Sequence, residues 1–385
     1  MFKSINKILF ISHDASRSGA PIVFKHHLKF IKGAYPEVSF DIFLMQPGEL
    51  QKEFAKISMI TVADKNSLLL RALFKFSKNE FYKHYKFNRL LNEIKYKIVY
   101  GNTVVTAPLL KMAKLNNSFT ITVMHVHELD ISLKQCLGKQ KFIETITYID
   151  NFVAASLAVK NMLIKTYEIP ESKIYLHYEY IPIAPFDKKN TIKNTLKPGL
   201  KVCGSGSLDW RKGIDLFLQI VYQLKKIEAS SVFHFYWIGG MIGSIEYERV
   251  LYDIDRLGIA DNVTIIEHCD NPLQYMQACD VFLLTSREDP FPLVCLEAAS
   301  VKLPIICFKD SGGMVEFVDQ TSGWVIDYLD LSAIVRLLIE LINNPDILVD
   351  KGIKSYEKVQ EFSIVKGGEK LVGYLKALTN RKEII

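Results

Sequence analysis

The sequence predicts an α/β protein of two domains, each built around a mostly parallel sheet. Three observations carry that prediction. The chain has 385 residues, more than a single hydrophobic core usually organises. Short β-branched or aromatic runs alternate with longer amphipathic stretches from end to end, the pattern of repeated βα units. Near the middle, residues 179–200 (EYIPIAPFDKKNTIKNTLKPGL) combine prolines with polar residues and no sustained period, which reads as a linker.

Strands are expected at 7–13, 39–46, 57–63, 97–101, 119–126, 151–155 and 173–178 before the linker. After it they are expected at 201–205, 232–238, 263–267, 281–285, 304–308 and 323–326. Each half therefore holds a Rossmann-like sheet, giving domains at 1–190 and 196–355, with 356–385 as a terminal element. The stretch from about Asp350 to Ile385 reads as amphipathic helix, with Gly367-Gly368 as its conspicuous breaker.

Apolar residues make up 49% and charged residues 23%, ordinary for a globular chain and too apolar for a long disordered tract. The first apolar run, Ile8 to Ile11, is too short for a signal-peptide core or a membrane span and reads as a first buried strand. A cytoplasmic location is therefore expected, with any membrane contact peripheral and at the inner face. The 6 cysteines contain no CxxC pair and read as reduced core thiols rather than a disulfide or zinc framework.

The net charge of +6 is unevenly spread: 28 basic against 16 acidic residues lie up to residue 195, and 20 against 26 after it. Much of the excess falls in residues 65–97, where Lys65, Arg71, Lys75, Lys78, Lys83, Lys86, Arg89, Lys95 and Lys97 interleave with Phe74, Phe76, Phe81, Tyr82, Tyr85 and Phe87. An anionic membrane surface is one candidate partner for such a segment; a solvated helix face with its rings in the core is the other reading. Nucleic acid is not expected as a partner, because no nucleic-acid motif accompanies the patch.

The densest chemistry lies in residues 286–327. There a strand ends, the chain turns at Asp289-Pro290, and a helix begins near Leu293. Ligands bind beyond the carboxyl ends of strands in open α/β sheets, and a helix amino terminus offers free N–H groups to anionic oxygens. Asp289 and Glu297 frame this turn, Glu297 lying about one helical turn beyond Leu293 with its side chain directed back toward the helix start.

A second cluster, KVCGSGSLDWRKGIDLFLQIV at 201–221, runs from strand through a glycine-rich loop into an amphipathic helix. Gly204 and Gly206 permit close backbone approach, and Arg211 and Lys212 place two cations at a helix start, where the dipole alone would favour acids. That mismatch points to an anionic ligand. A third cluster, TVMHVHELD at 122–130, places His125 and His127 on one strand face, with no third metal ligand evident in the sequence. A fourth, SHDASRSGAPIVF at 12–24, opens a helix after a strand, with Gly19 in the turn and Pro21 suited to the first helical position. Asp253 and Asp255 match an Asp-x-Asp metal motif but sit two apart in a helical pattern and cannot share a face.

These clusters, and 286–327 above all, resemble family 4 glycosyltransferases, a retaining family with the GT-B fold and a Glu-x7-Glu signature. The resemblance implies two Rossmann-like domains facing each other across a deep cleft, an acceptor-binding domain first and a donor-binding domain second, with the terminal helix crossing back to the first. It implies transfer of a sugar from a nucleotide diphosphate donor, UDP- or GDP-linked, to a glycan or lipid-linked acceptor in cell-surface polysaccharide biosynthesis. No cofactor and no metal are implied.

Carried over by position, Asp289 takes the donor-sugar role and Glu297 the ribose role, with backbone N–H groups of Phe291, Leu293 and Val294 near sugar and phosphate. Arg211 and Lys212 hold the diphosphate, beside the glycine loop that contains Gly204. Gly19 lies in a loop below the diphosphate, and His127 faces the donor sugar. The sequence departs from the family in having Asp rather than Glu at the first acid, with Glu288 immediately before it; FPLVCLEA keeps the family register with Asp289 in place. Two alternatives remain: a non-catalytic sugar-nucleotide-binding subunit, and a GT-B epimerase or phosphorylase. A nicotinamide dehydrogenase is disfavoured because the first loop lacks GxGxxG.

Overall fold

The computed structural model describes residues 7–63, 79–183, 192, 195–227, 232–267, 269 and 271–380. The chain forms two compact units. One comprises residues up to Pro182 together with those from Ile364; the other is Ile183–Ser363.

In the first unit β1 (Ile8–Ser12), β2 (Phe40–Leu44), β3 (Ile60–Val62), β4 (Ile98–Asn102), β5 (Ile121–Val126), β6 (Asn151–Ala154) and β7 (Ile174–Leu176) form a sheet in the order β3-β2-β1-β4-β5-β6-β7. Every pairing is parallel. Every residue of β1, β2, β4 and β6 is buried, as expected of parallel strands covered by helices on both faces. Phe10 of β1 meets Phe24, Phe40 and Tyr100 edge to face at 5.3–5.8 Å, tying the Gly19–Ala34 helix to the middle of the sheet.

In the second unit β8 (Leu200–Ser205), β9 (Phe233–Ile238), β10 (Val263–Ile266), β11 (Val281–Leu284), β12 (Ile305–Phe308) and β13 (Gly323–Ile326) follow the order β10-β9-β8-β11-β12-β13, again all parallel. The Ile214–Ile227 helix buries Phe217, Ile220, Val221 and Leu224 against this sheet, with Phe217 packed on Phe235 and Trp237. All thirteen expected strands are present within three residues of their expected bounds, the largest departure being β3, expected from 57 and starting at Ile60.

Three local expectations are corrected. Glu179, Tyr180 and Ile181, read as the start of a linker, are buried in the first unit, and the Ile181 carbonyl accepts from the Ile364 amide. Residues 184–191 and 193–194 of that stretch lie outside the described residues. The terminal helical region breaks at Gln360–Ser363, between the Asp346–Val359 and Ile364–Asn380 helices, and not at Gly367-Gly368. These glycines are instead surfaces of contact: a Cβ on Gly367 would lie 2.2 Å from the Tyr180 ring, and one on Gly368 2.0 Å from that of Phe30. Pro21 occupies the third position of its helix, which begins at Gly19.

Among the described residues no helix is long and apolar enough to cross a membrane. Of the basic aromatic segment, residues 65–78 lie outside the described residues. In the remainder Phe87 is fully buried, Lys86 donates to the Val62 carbonyl at 2.8 Å, and Arg89 pairs with Glu93 at 2.7 Å. Phe87 thus turns into the core, whereas Tyr85 in the same helix is half-exposed.

Replacing a helical glycine by alanine ordinarily stabilises by roughly 0.5–1 kcal/mol. At Gly368 the sign should reverse, because the added methyl drives the terminal helix off Phe30, at a cost of about 1–3 kcal/mol. Urea denaturation of Gly368→Ala checks this; an unchanged or raised midpoint would refute the packing role.

Candidate functional site

In each sheet the strand order reverses beside the first strand of the unit, so the loops leaving the two central strands diverge and open a crevice beyond their carboxyl ends. In the second unit the two strands are β8 and β11, and the loops are 206–213 and 285–292.

Backbone geometry stitches these loops together. Gly206 (φ 151°) and Gly213 (φ 72°) take conformations that favour glycine, and a Cβ on Gly213 would lie 2.1 Å from the Thr285 carbonyl oxygen. The Arg287 amide donates to the Arg211 carbonyl at 2.8 Å and the Thr285 hydroxyl to that of Lys212 at 3.1 Å. Arg287 also grips Asp215 with both terminal nitrogens, at 2.8 and 2.7 Å. Gly204 lies inside β8 rather than in the loop; its missing side chain makes room for the Phe217 and Trp237 rings, each 3.0 Å from a Cβ position.

The result is a convergent charge cluster. Lys212 Nζ lies 2.6 Å from Asp289 Oδ2, Arg211 Nη1 lies 3.6 Å from the same oxygen, and Ser286 Oγ donates to it at 3.2 Å. Glu288 contributes its backbone carbonyl, which accepts from Arg211 Nη1 at 3.1 Å. Asp289 is thus the acid that meets the two cations. Its backbone is fixed against residues 311–313: its amide donates to the Ser311 carbonyl at 2.8 Å, and a Cβ on Gly312 would fall 1.7 Å from its carbonyl oxygen.

Asp289 is buried, and burial alone would raise its carboxyl; Lys212 and Arg211 outweigh that and hold it below the usual carboxylate range. The Leu293–Ser300 helix follows directly, entered from Pro292, so the amides of Leu293 and Val294 have no acceptor within the helix. Phe291 is buried and stacks on Phe362 at 5.6 Å, which anchors the turn before the helix. Glu297 keeps part of its surface open, yet the packing around its carboxyl removes enough water to raise it to about 7.

The first unit has a crevice of its own, between β1 and β4. Gly19 opens the helix after β1, and the Ala20 carbonyl accepts from Asn102 Nδ2 at 3.2 Å. Thr103, at the end of β4, holds φ 87°, a strained conformation for a β-branched residue, of the kind found at functional sites. His127 follows β5. Its Nε2 lies 2.7 Å from Asn102 Oδ1, its Nδ1 2.5 Å from Glu179 Oε1, and its amide donates to Glu128 Oε2 at 2.9 Å. His125 packs against it at 3.8 Å between ring centres, the rings tilted by 39°, with Nδ1 on the Tyr100 hydroxyl at 2.9 Å.

Burial works against a charged His127, but the Glu179 carboxylate overcomes it and raises this imidazole above its ordinary value. Burial pushes His125, His177 and His27 the other way, and it raises Glu128 to about 7. Glu179 is the third group that the sequence did not reveal beside His125 and His127. One ligand atom from each of the three lies within 4.8 Å of the others. The 2.5 Å contact between His127 and Glu179, however, is the spacing of two atoms sharing a proton, not of two ligands separated by an ion.

Asn102, Glu179 and Glu128 were missed as site residues. Asn102 ends an apolar strand and Glu179 sits in what reads as a linker; only the strand order brings them to His127. Glu128, adjacent to His127, was visible as part of the HVHELD run.

Lys212→Met should leave Asp289 buried without its closest cation and destabilise the protein by about 3–5 kcal/mol near neutral pH. In the intact protein the depressed Asp289 contributes stability that is present above the unfolded carboxylate value and lost as pH falls through the folded one. In the variant the carboxyl is raised instead, so the gap between the two proteins should narrow on acidification to about pH 4. Urea titrations at both pH values measure this; a gap that does not change with pH would exclude the ion pair as its cause.

Comparison with known proteins adds a likeness for the second unit and for the fold. Residues 187–364 match the family described as glycosyl transferases group 1. An uncharacterised glycosyltransferase of Haemophilus influenzae is 28% identical over 192 residues, 47% of this chain and 53% of the relative. The capsular polysaccharide biosynthesis glycosyltransferase CapM of Staphylococcus aureus is 25% identical over 122 residues, 31% of this chain and 32% of the relative. The matched region thus spans about half the length of the first relative and a third of the second. Anabaena Alr3699/HepE, solved in complex with UDP, superposes with a TM-score of 0.78 over 96% of this chain and 100% of its own at 18% identity. The chain is therefore a two-unit GT-B fold whose second unit matches the group 1 glycosyl transferases.

Proposed function

We propose that this protein is a retaining glycosyltransferase of family 4 type, which transfers a sugar from a nucleotide diphosphate donor to a glycan or lipid-linked acceptor in cell-surface polysaccharide assembly. The observation that carries the reading is the convergence of Arg211 and Lys212 on buried Asp289, beside the start of the Leu293–Ser300 helix. Two cations and free helix amides form an anion site, and a sugar bearing a diphosphate is the anion that also uses an adjacent acid. UDP is favoured as the nucleotide because the Anabaena neighbour was solved with it. The polysaccharide setting draws on the likeness to CapM, a capsular polysaccharide biosynthesis glycosyltransferase.

In the proposed reaction the bond from the sugar C1 to the diphosphate oxygen breaks while the acceptor hydroxyl oxygen bonds to C1 on the same face. The hydroxyl proton passes to the departing phosphate oxygen. Arg211 and Lys212 stabilise the charge that grows on the diphosphate, which lowers the barrier without a metal. Asp289 accepts from donor-sugar hydroxyls, Glu297 from those of the ribose, and His127 contacts the sugar. Peripheral contact of the basic segment 65–97 with an anionic membrane belongs to the same reading.

A thermal-shift screen against UDP, GDP, ADP and their common sugars, with and without EDTA, tests the donor site, since a ligand of the native state raises the midpoint. The expected result is a selective shift that EDTA leaves in place; no shift with any nucleotide refutes the donor site. Lys212→Ala should lower turnover at least about tenfold, roughly 1.4 kcal/mol of barrier. A nucleotide-selective shift without transfer to any acceptor would point to the binding-subunit alternative.

A further inference from the structure

His127 has a hydrogen-bond partner on each ring nitrogen, and the identities of the two partners determine its protons. Asn102 Nδ2 donates to the Ala20 carbonyl, so the Asn102 amide is oriented and its Oδ1 is the atom turned to His127 Nε2. An amide oxygen only accepts; Nε2 therefore carries a proton. On the other side Nδ1 lies 2.5 Å from Glu179 Oε1, the short spacing of a charge-assisted bond. Glu179 is buried and its second oxygen has no hydrogen-bond partner among the described residues, so His127 is the group that compensates this carboxylate.

From this geometry we infer that Glu179 and Asn102 are positioning residues that hold His127 as a doubly protonated imidazolium, so that it serves as a fixed cationic donor and not as a base. The inference rests on the glycosyltransferase reading for its catalytic meaning and on the hydrogen bonds alone for its structural content.

The groups around the ring are consistent with one held charge. Glu128 faces it from the His127 backbone side and accepts from its amide, adding a second carboxylate. His125 of β5 packs against it, His27 and His177 lie behind, and His13 approaches from the loop after β1; burial lowers all four. Lys370, on the terminal helix, acts on His177. Among the titratable groups named, His127 is the histidine whose surroundings favour the charged form. An imidazolium with both N–H groups committed can exchange Asn102 for an oxygen of a bound sugar at Nε2, but it has no lone pair with which to take a proton. The acceptor proton must then leave by another route, as it does when the departing phosphate takes it.

The test uses the full chain labelled with ¹⁵N-histidine, with the His127 signals assigned by their loss in His127→Gln. At about pH 7.5 both ring nitrogens of His127 should show protonated shifts in the native protein and in Glu179→Asp, whereas Glu179→Gln should show a neutral ring. A neutral ring in the native protein, or a charged one that survives in Glu179→Gln, overturns the inference. If Glu179→Gln does not fold, the native and Glu179→Asp spectra decide it.

Where transfer is measurable, kcat should fall as pH rises through the His127 titration, and Glu179→Asp should keep that alkaline limb; activity that instead rises with pH through the same region would make His127 a base and overturn the inference. In folded Glu179→Gln, kcat should drop at least about tenfold with donor KM within about twofold; equal losses in the Asp and Gln variants overturn it. A charged, Glu179-dependent ring in a protein that turns over no sugar nucleotide supports the inference while removing the proposed function.

Discussion

Parallel pairing is the constraint on which the rest of this structure depends. A parallel strand cannot be reached by a hairpin, so each return needs a crossover, most often an α-helix, and every loop that follows a strand emerges at the same edge of its sheet. With the thirteen strands of the described residues all paired this way, residues far apart in sequence collect at two edges. Lys212 and Asp289 are 77 positions apart, and His127 and Glu179 are 52 apart, yet both pairs form beyond the carboxyl ends of strands near the point where the order reverses. The helices packed on the two faces keep those ends free.

This constraint also explains which features could be read from the sequence. Strands buried on both faces, such as ILFIS and IICF, announce themselves as short apolar runs, so the sheets were legible throughout. Arg211, Lys212, Asp289 and Glu297 were legible because each lies within a few residues of a strand end or helix start, where a charge has a local reason to be examined. Glu179 was hidden by its neighbours: prolines and polar residues just beyond it give a linker signature, and its hydrogen-bond partner His127 lies 52 positions away. Gly367 and Gly368 were misread for the same reason. Their purpose is contact with Phe30 and Tyr180, and a helix that needs small residues to approach a distant ring carries no local sign of it.

The Lys212–Asp289 pair shows how such a site stays intact before a ligand arrives. Two cations brought together without a counter-charge would repel and spread into solvent, and a buried carboxylate without cations would protonate. Placed together, with Ser286 as a further donor, they fix one another. An ammonium has three protons, so Lys212 can keep Asp289 while turning another N–H toward a phosphate oxygen. The arrangement therefore needs little reorganisation when negative charge appears, and this is what makes electrostatic stabilisation effective in a water-poor crevice.

The first unit reaches a related end by different means. His125 and His127 occupy alternate positions of one segment, and their ring centres lie 3.8 Å apart. Two imidazolium ions at that distance would repel strongly where solvent cannot screen them, so charge on one ring excludes it from the other. The hydrogen bonds decide which. His125 meets a tyrosine hydroxyl, which can donate or accept and tolerates a neutral ring, whereas His127 lies between a carboxylate and an oriented amide oxygen. A sequence reading of HVH sees two equivalent histidines; the fold makes them unequal, assigning the charge to the one that meets Glu179 and leaving the other as neutral packing beneath it.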